Sequence, residues 1–193
     1  KDNEAQFKIA AAAHDILDQA GVPNGVTTGN HDVGDFGPVM TYNNYNVYFG
    51  KDCYQDQFWF GGEYGNNTHH YDLVTVGGHD LIILYLGMGL EATPETVAWA
   101  NEVLAMYPHR TAIIATHQYL SPSANWITYS RAEEIYDKII VPKTNVAMVI
   151  CGHDPGAARN VRAMKDGRQL VEILHDYQHE EKGGNGFLRL MKF

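Results

Sequence analysis

The sequence predicts an α/β fold, because helical and extended patterns alternate along the chain and several apolar segments end on a histidine. With 193 residues and 45% hydrophobic residues, the chain is long enough for one well-packed core and too short for two of ordinary size. We therefore predict a single domain over residues 1–193, with strands whose carboxyl ends share one edge of a sheet.

The first half of the chain predicts one helix, one short strand, one long loop and one hairpin. "GVP" stops a helix predicted over residues 3–20, and "GVTT" is typical of a short buried strand. Residues 31–68 are rich in Gly, Asn and Tyr without a clear period, which predicts a long loop. "YDLVTV" and "LIILYL" flank "GGHD" and predict a hairpin. The apolar residues at helical spacing in the first helix are Phe7, Ala10, Ala13, Ile16, Leu17 and Ala20.

The second half predicts further alternation of helices and strands. A Thr-Pro pair at 93–94 predicts a capped helix start, and "TAIIATH" predicts the strand that follows. The capping box "SRAE" at 130–133 predicts a helix to about Ile140, before a strand in "NVAMVICGH". An Asp-Gly pair at 166–167 predicts a turn between two more strands, and "GFLRLMKF" predicts a last one.

Composition narrows the classes of partner and the compartment. The formal net charge of −9 and the lack of a basic stripe argue against binding to a nucleic-acid backbone. An anionic substrate would therefore need a cation between it and the protein. No apolar run approaches the length of about 20 residues that crosses a bilayer, so no transmembrane segment is predicted. Cys53 and Cys151 form no recognisable metal-binding or disulfide pattern.

Three predicted strands end in side chains that can bind a metal ion. "GVTTGNHD", "TAIIATHQ" and "NVAMVICGHD" finish on Asn30 and His31, on His117 and on His153. Because strand carboxyl ends gather at one edge of an open α/β sheet, we expect these residues to converge. A neutral imidazole nitrogen and an Asn carbonyl oxygen are both ligands for divalent metals. The predicted metal ligands are therefore Asn30, His117 and His153. One strand-end histidine among the ten in the chain would not by itself indicate a metal site.

In this order and spacing, "GNHD", "THQ" and "GHD" resemble the later motifs of the calcineurin-like metallophosphoesterases. The closing "DYQHEEKGGNGFLRLMKF" is similar to the tail of secreted bacterial members, which implies a secreted or cell-surface location. The resemblance covers nearly the whole chain. It implies a four-layer α/β/β/α sandwich with up to two iron, zinc or manganese ions. It further implies a phosphatase or phosphodiesterase in which metal-bound hydroxide attacks phosphorus.

The resemblance also assigns roles to single residues. Asn30, His117 and His153 match the ligands of the family's second metal. His31 matches a histidine that does not bind metal and instead stabilises charge or protonates the leaving oxygen near the phosphate. Asp32 follows it and either orients a neighbouring group or caps the turn. His31 and Asp32 are thus the predicted catalytic residues.

The sequence departs from the family pattern in two groups of metal-binding motifs. Neither the Asp-x-His block nor the Gly-Asp block of the family is in the chain, so it resembles a member that lacks its first βαβ portion. Pro155 stands where the Gly-His-x-His block has its second histidine, and proline offers no donor atom. The resemblance therefore implies one metal ion or none in this chain alone, and a working enzyme would need a second segment or chain to complete the site.

Two interpretations of these departures remain open from the sequence. In one, the chain is part of a working phosphoesterase. In the other, it is a catalytically degenerate scaffold that acts as a binding module, for example for surface glycans. The aromatic segment "FWFGGEY" would suit glycan binding, although packing within the loop is the favoured explanation.

Overall fold

The computed structural model describes residues 3–34 and 40–192. The strands are β1 (Phe60–Tyr64), β2 (His69–Val76), β3 (His79–Leu86), β4 (Thr111–Thr116), β5 (Val146–Cys151), β6 (Gly156–Ala163) and β7 (Gln169–Asp176). The helices are α1 (Glu4–Gln19), α2 (Asn43–Tyr48), α3 (Lys51–Tyr54), α4 (Pro94–Met106) and α5 (Ala132–Ile135), and a π-helical turn (Tyr136–Ile140) continues α5.

All seven strands form one mixed sheet in the order β1-β2-β3-β4-β5-β7-β6. The strands β3, β4, β5 and β7 run parallel, while β1, β2 and β6 make antiparallel pairs. The carboxyl ends of the four parallel strands therefore lie at one edge of the sheet. The predicted α/β class is confirmed, whereas the four-layer arrangement and the missing first portion stay predictions.

The main core lies on one face of the sheet, under α4, α5 and the π-helical turn. Ile82 and Ile114 of the sheet are fully buried there against Val103 and Leu104 of α4. The predicted start of α4 is confirmed, because the Thr93 hydroxyl accepts the N–H of Thr96 at 3.2 Å. Among the described residues, no helix has the length and apolar character needed to cross a membrane.

The opposite face of the sheet carries two rows of mostly apolar side chains in register across the parallel strands. Because side chains alternate between the faces of a strand, paired residues lie on the same face. One row is Ile83, Ile113, Met148 and Val171, and the other is Tyr85, Ala115, Ile150 and Ile173. Ile83, Met148, Ile150 and Val171 remain only half-buried. The described residues thus cover this face less completely than the main core.

The hairpin predicted between β2 and β3 and the turn predicted between β6 and β7 are confirmed. Other local predictions are wrong. "GVTT" joins no strand; the Thr27 hydroxyl instead donates to the Leu86 carbonyl at 2.9 Å, so the segment lies beside β3 without pairing. The predicted loop over residues 31–68 contains α2, α3 and β1, and its residues 35–39 lie outside the described ones.

The chain termini also differ from the sequence prediction. "GFLRLMKF" forms no strand over residues 186–192, where Leu190 is 89% exposed and pairs with no sheet edge; Phe193 lies outside the described residues. α1 confirms the predicted helix but packs through Phe7 and His14, while Ile16 is 69% exposed. The helical spacing of apolar residues predicted the helix, but it did not show which of its two apolar sides faces the interior.

Candidate metal centre

A tight turn at residues 29–32 presents Asn30 to the edge of the sheet. The Asp32 carboxylate accepts the N–H of Gly29 at 2.7 Å, and the Asp32 N–H donates to the Gly29 carbonyl at 3.0 Å. A Cβ at Gly29 would lie 2.7 Å from the His117 ring, so the absence of a side chain lets the turn approach that histidine. The geometry gives Asp32 the role of a turn residue, which is one of the two predicted roles.

His117 and His153 follow two neighbouring parallel strands, β4 and β5. The N–H of Gly152 donates to the His117 carbonyl at 3.1 Å, which ties the two turns together. His153 has a φ of 72°, a left-handed conformation that few residues other than glycine adopt. The Gln178 side-chain amide donates to the His153 carbonyl at 3.3 Å and to the Asp176 carboxylate at 3.0 Å.

The structure brings the donor atoms of Asn30, His117 and His153 together. The Nε2 atom of His117 lies 3.0 Å from the Asn30 Oδ1 atom and 2.9 Å from the His153 Nδ1 atom. Both are hydrogen-bond distances, and they bring the three donor atoms close enough to serve one metal ion. The three donors lie at a cavity of about 250 Å³. It is lined by Gly29, Asn30, His31, Asp32, His117, His153, Asp176 and Gln178.

Burial keeps His117 in the protonation state that a metal ion requires. Burial and, to a smaller extent, the nearby His153 together lower the pKa of His117 to about 4, against an opposing effect of the Asp176 carboxylate. Metal ions bind the neutral imidazole. His117 is therefore available as a ligand at neutral pH without releasing a proton.

The cavity contains both predicted and unpredicted residues. His31 is exposed and lines it, as the sequence predicted. Asp176 and Gln178 also line it, and sequence reasoning missed both. The available signal was the position of "HDYQ" just after an apolar run, where the end of another parallel strand would bring its polar residues to the same edge.

Comparison with known proteins gives the family of the chain. A family model for calcineurin-like phosphoesterases matches residues 7–157, which include Asn30, His117 and His153. The chain belongs to the calcineurin-like phosphoesterase family. It is also 41% identical over 194 residues to the uncharacterized protein YvnB of Bacillus subtilis (strain 168). That similarity covers 97% of the chain but 15% of YvnB, so the chain spans about one seventh of the relative's length.

Members of the calcineurin-like phosphoesterase family typically use divalent metal ions, and the donors present in this chain fit one such ion. Among the described residues, no group of three or more His, Cys, Asp or Glu side chains is arranged to hold a metal. The three convergent donors are two histidines and one asparagine. Pro155 follows Asp154 at the point where the family places a further histidine, and it contributes no donor.

A second cavity of about 390 Å³ also borders His117 in this phosphoesterase chain. It lies at the end of the half-covered sheet face and is lined in part by Tyr85, Ile150 and His175. Both ring nitrogens of His175, and the hydroxyl of the buried Thr116, lack a hydrogen-bond partner within residues 3–34 and 40–192. His117 therefore borders both the cavity lined by Asn30 and His153 and the cavity lined by the polar groups without partners.

The aromatic segment "FWFGGEY" divides between the interior and the surface. Trp59 is fully buried and donates its indole N–H to the Asn24 carbonyl at 3.1 Å. Phe58 is 77% exposed and packs edge-on against Trp59, with ring centroids 4.9 Å apart. Packing accounts for Trp59, which leaves Phe58 as the exposed aromatic ring of that pair.

Proposed function

We propose that this chain binds one divalent metal ion through Asn30, His117 and His153 and contributes these residues to a phosphoester-hydrolysing site. The observation that carries the proposal is that the Asn30 Oδ1 atom and the His153 Nδ1 atom lie 3.0 Å and 2.9 Å from the His117 Nε2 atom. Family membership supports the reaction class, because calcineurin-like phosphoesterases are hydrolases. The net charge of −9 is consistent with it, since phosphate would need a cation between itself and an acidic protein.

The donor set fits zinc, manganese or iron, since imidazole nitrogen suits zinc and iron and an amide carbonyl oxygen suits manganese. The chemistry that such an ion supplies when bound is neutralisation of phosphate charge and acidification of water. His117 and His153 hold their positions through the hydrogen bond from Gly152 to the His117 carbonyl. The remaining space for substrate is the cavity of about 250 Å³.

The role proposed for His31 is to donate a proton to the leaving oxygen, or a hydrogen bond to the phosphate. Its exposure and its place in the cavity wall support this role, since an imidazole there can reach a bound phosphate as a proton or hydrogen-bond donor. Asp32 supports His31 indirectly, because its carboxylate closes the turn through the Gly29 N–H.

A second segment or chain that completes the site is part of the proposal. The half-covered sheet face and the cavity of about 390 Å³ beside His117 offer a place where it would pack. A carboxylate delivered there would supply the type of ligand that Asn30, His117 and His153 do not provide. We accordingly expect weak turnover from these 193 residues alone.

A catalytically degenerate scaffold is the second candidate, and Pro155 is the observation that favours it. A degenerate scaffold would keep the fold and bind its partner without metal, for example a surface glycan. Burial of Trp59 removes the largest side chain of the aromatic segment from such a role, which leaves Phe58 and Tyr64 as its exposed rings.

Metal analysis combined with an aryl phosphate assay distinguishes the two candidates. The proposal predicts close to one equivalent of bound manganese or zinc, together with slow hydrolysis that His117→Ala abolishes. His109→Ala is the matched control, because His109 is exposed and precedes β4, at the opposite edge of the sheet. A well-folded protein that binds no metal and is inert would contradict the proposal, and glycan binding that survives chelation would support the alternative.

A further inference from the structure

Glu172 of β7 is fully buried and is surrounded by hydrogen-bond donors. Its Oε1 atom accepts the Tyr119 hydroxyl at 3.0 Å, the Trp126 indole N–H at 2.8 Å and the Arg162 Nε at 3.0 Å. Its Oε2 atom accepts the Asn160 side-chain amide and the Arg162 Nη2. A buried carboxylate is costly unless such partners satisfy it, so this cluster is fixed in one arrangement.

Two of these donors belong to the loop that begins directly after His117. Tyr119 and Trp126 lie at the base of this loop, where the Ile127 N–H donates to the Tyr119 carbonyl at 3.0 Å. The Arg162 guanidinium also lies 3.9 Å from the centre of the Trp126 ring. Glu172 therefore joins both sides of the loop base to the sheet.

The same loop contacts the turn that carries His153. The Leu120 N–H donates to the Cys151 sulfur at 3.3 Å, and Cys151 directly precedes Gly152 and His153. The Gly152 N–H in turn donates to the His117 carbonyl. The two histidine-bearing turns are thus linked to each other and, through Tyr119, to Glu172.

We propose that Glu172 is a positioning residue for the metal centre and fixes the distance between His117 and His153 through the Tyr119 loop. This inference rests on the proposed function, because it assigns Glu172 an effect on metal binding. Glu172 itself contacts neither the three proposed metal ligands nor the cavity that they line. Outer partners that orient metal ligands change metal affinity by about 10- to 100-fold when they are removed.

Glu172→Gln tests the proposal, because it keeps the shape of the side chain and removes the charge that Arg162 pairs with. Tyr119→Phe removes one hydroxyl from the cluster and is expected to fold even where Glu172→Gln does not. Asn145→Ala is the matched control, since Asn145 donates to the carbonyls of Leu104, Tyr107 and Arg110 at the amino-terminal edge of β4 and β5.

Manganese affinity and amide hydrogen exchange are the two measurements. We expect Glu172→Gln to weaken manganese binding by about tenfold or more, with a smaller loss in Tyr119→Phe and none in Asn145→Ala. We also expect faster exchange at the Leu120 and Gly152 amides in the first two variants only. Wild-type affinity in Glu172→Gln would overturn the proposal.

A wild-type protein that binds no manganese would contradict the proposed function, whereas amide exchange still decides the role of Glu172. Unchanged exchange at Leu120 and Gly152 in Glu172→Gln would then overturn this inference separately. Equal acceleration in Asn145→Ala would also overturn it, because the effect would reflect general loss of stability.

Discussion

The Nε2 atom of His117 lies 2.9 Å from the Nδ1 atom of His153, although the two residues are 36 positions apart and follow different strands. Parallel pairing of β4 with β5 brings the two strand ends together, and the Gly152 hydrogen bond to the His117 carbonyl sets the turns against each other. Two imidazoles this close stabilise one another only by sharing a proton or by binding a common cation. This pair is therefore the most direct target for experiments on metal binding.

Metal removal is expected to lower the stability of the protein. A ligand present at about 100 times its dissociation constant stabilises the folded state by about 2.7 kcal/mol. We expect a chelator to lower the thermal midpoint of the wild type but not that of His153→Ala, which can no longer form the pair. His109→Ala should respond as the wild type does. An equal shift in all three proteins would mean that the stabilising metal binds elsewhere.

Gly29→Ala is expected to reduce metal affinity. The added Cβ would lie 2.7 Å from the His117 ring, a distance that requires the ring or the turn to move. The matched control is Gly152→Ala, in the neighbouring turn, because its Cβ would meet the nearest atom at an ordinary 3.4 Å. Titration calorimetry with manganese should show at least a tenfold loss of affinity for Gly29→Ala, because changes in the groups that orient metal ligands have effects of this size. A larger loss in Gly152→Ala would contradict this packing argument.

Asp72→Asn is expected to change how stability depends on pH. Burial raises the pKa of Asp72 to about 7, although the Tyr85 hydroxyl bonds to its carboxyl and opposes the shift. Because the pKa is higher in the folded state, the protonated carboxyl stabilises the protein below about pH 4, and this contribution is lost as the pH rises toward 7. The loss amounts to at most roughly 4 kcal/mol.

The measurement is the free energy of unfolding by urea at several pH values. The wild type should lose stability relative to Asp72→Asn between about pH 4 and pH 7. Asp56→Asn, at an exposed position, is the control and should show no such trend. Parallel pH profiles for the wild type and Asp72→Asn would refute the assignment.

His70→Phe is expected to stabilise the protein, most of all in acid. His70 is 1% exposed and stacks on Tyr85 with ring centroids 4.2 Å apart, and neither ring nitrogen makes a well-formed hydrogen bond among the described residues, although the Asn67 backbone favours the protonated ring. Burial lowers the pKa of His70 to about 3. Since the unfolded chain binds a proton near pH 6.5, stability is lost as the pH falls from there toward 3.

Urea unfolding should show a gain for His70→Phe of about 1–3 kcal/mol at neutral pH, because an unsatisfied buried polar group is replaced by an apolar ring. The gain should grow between pH 6 and pH 4. His69→Phe provides the contrast, because His69 accepts the Gly87 N–H at 3.1 Å and its loss leaves that amide without a partner. A destabilised His70→Phe would show that the ring makes a contact that only imidazole provides.

Much of the site could be predicted from the sequence because strand ends are easy to recognise. An apolar run that stops at a histidine predicts both a strand and the edge of the sheet at which the histidine lies. Parallel pairing of β4 with β5 then brings His117 and His153 to the same edge. Asp176 and Gln178 escaped prediction although the strand before them was predicted, because neither belongs to a motif that the family resemblance assigned to the metal site. The burial of Glu172 depends on Arg162 of the neighbouring strand, which no local pattern reveals.

The less accurate predictions concern segments whose structure depends on distant contacts. "GVTT" has the composition of a strand, yet the Thr27 hydroxyl bonds to the Leu86 carbonyl in place of a backbone ladder. The exposed Leu190 shows that apolar alternation alone does not produce a strand without a neighbour to pair with. In α1, small apolar residues lie on both sides of the helix, so the sequence did not show which side packs against the interior.

The left-handed backbone at His153 limits which side chains can replace the proposed metal ligand at this position. Only glycine, asparagine and aspartate adopt such a φ with comparable ease, and glycine carries no donor atom. In a saturation library, functional replacements at position 153 should therefore concentrate on oxygen-donor side chains. Position 117 lacks a positive φ and should accept a broader chemical range, so selection for a new metal would be expected to proceed first through position 117.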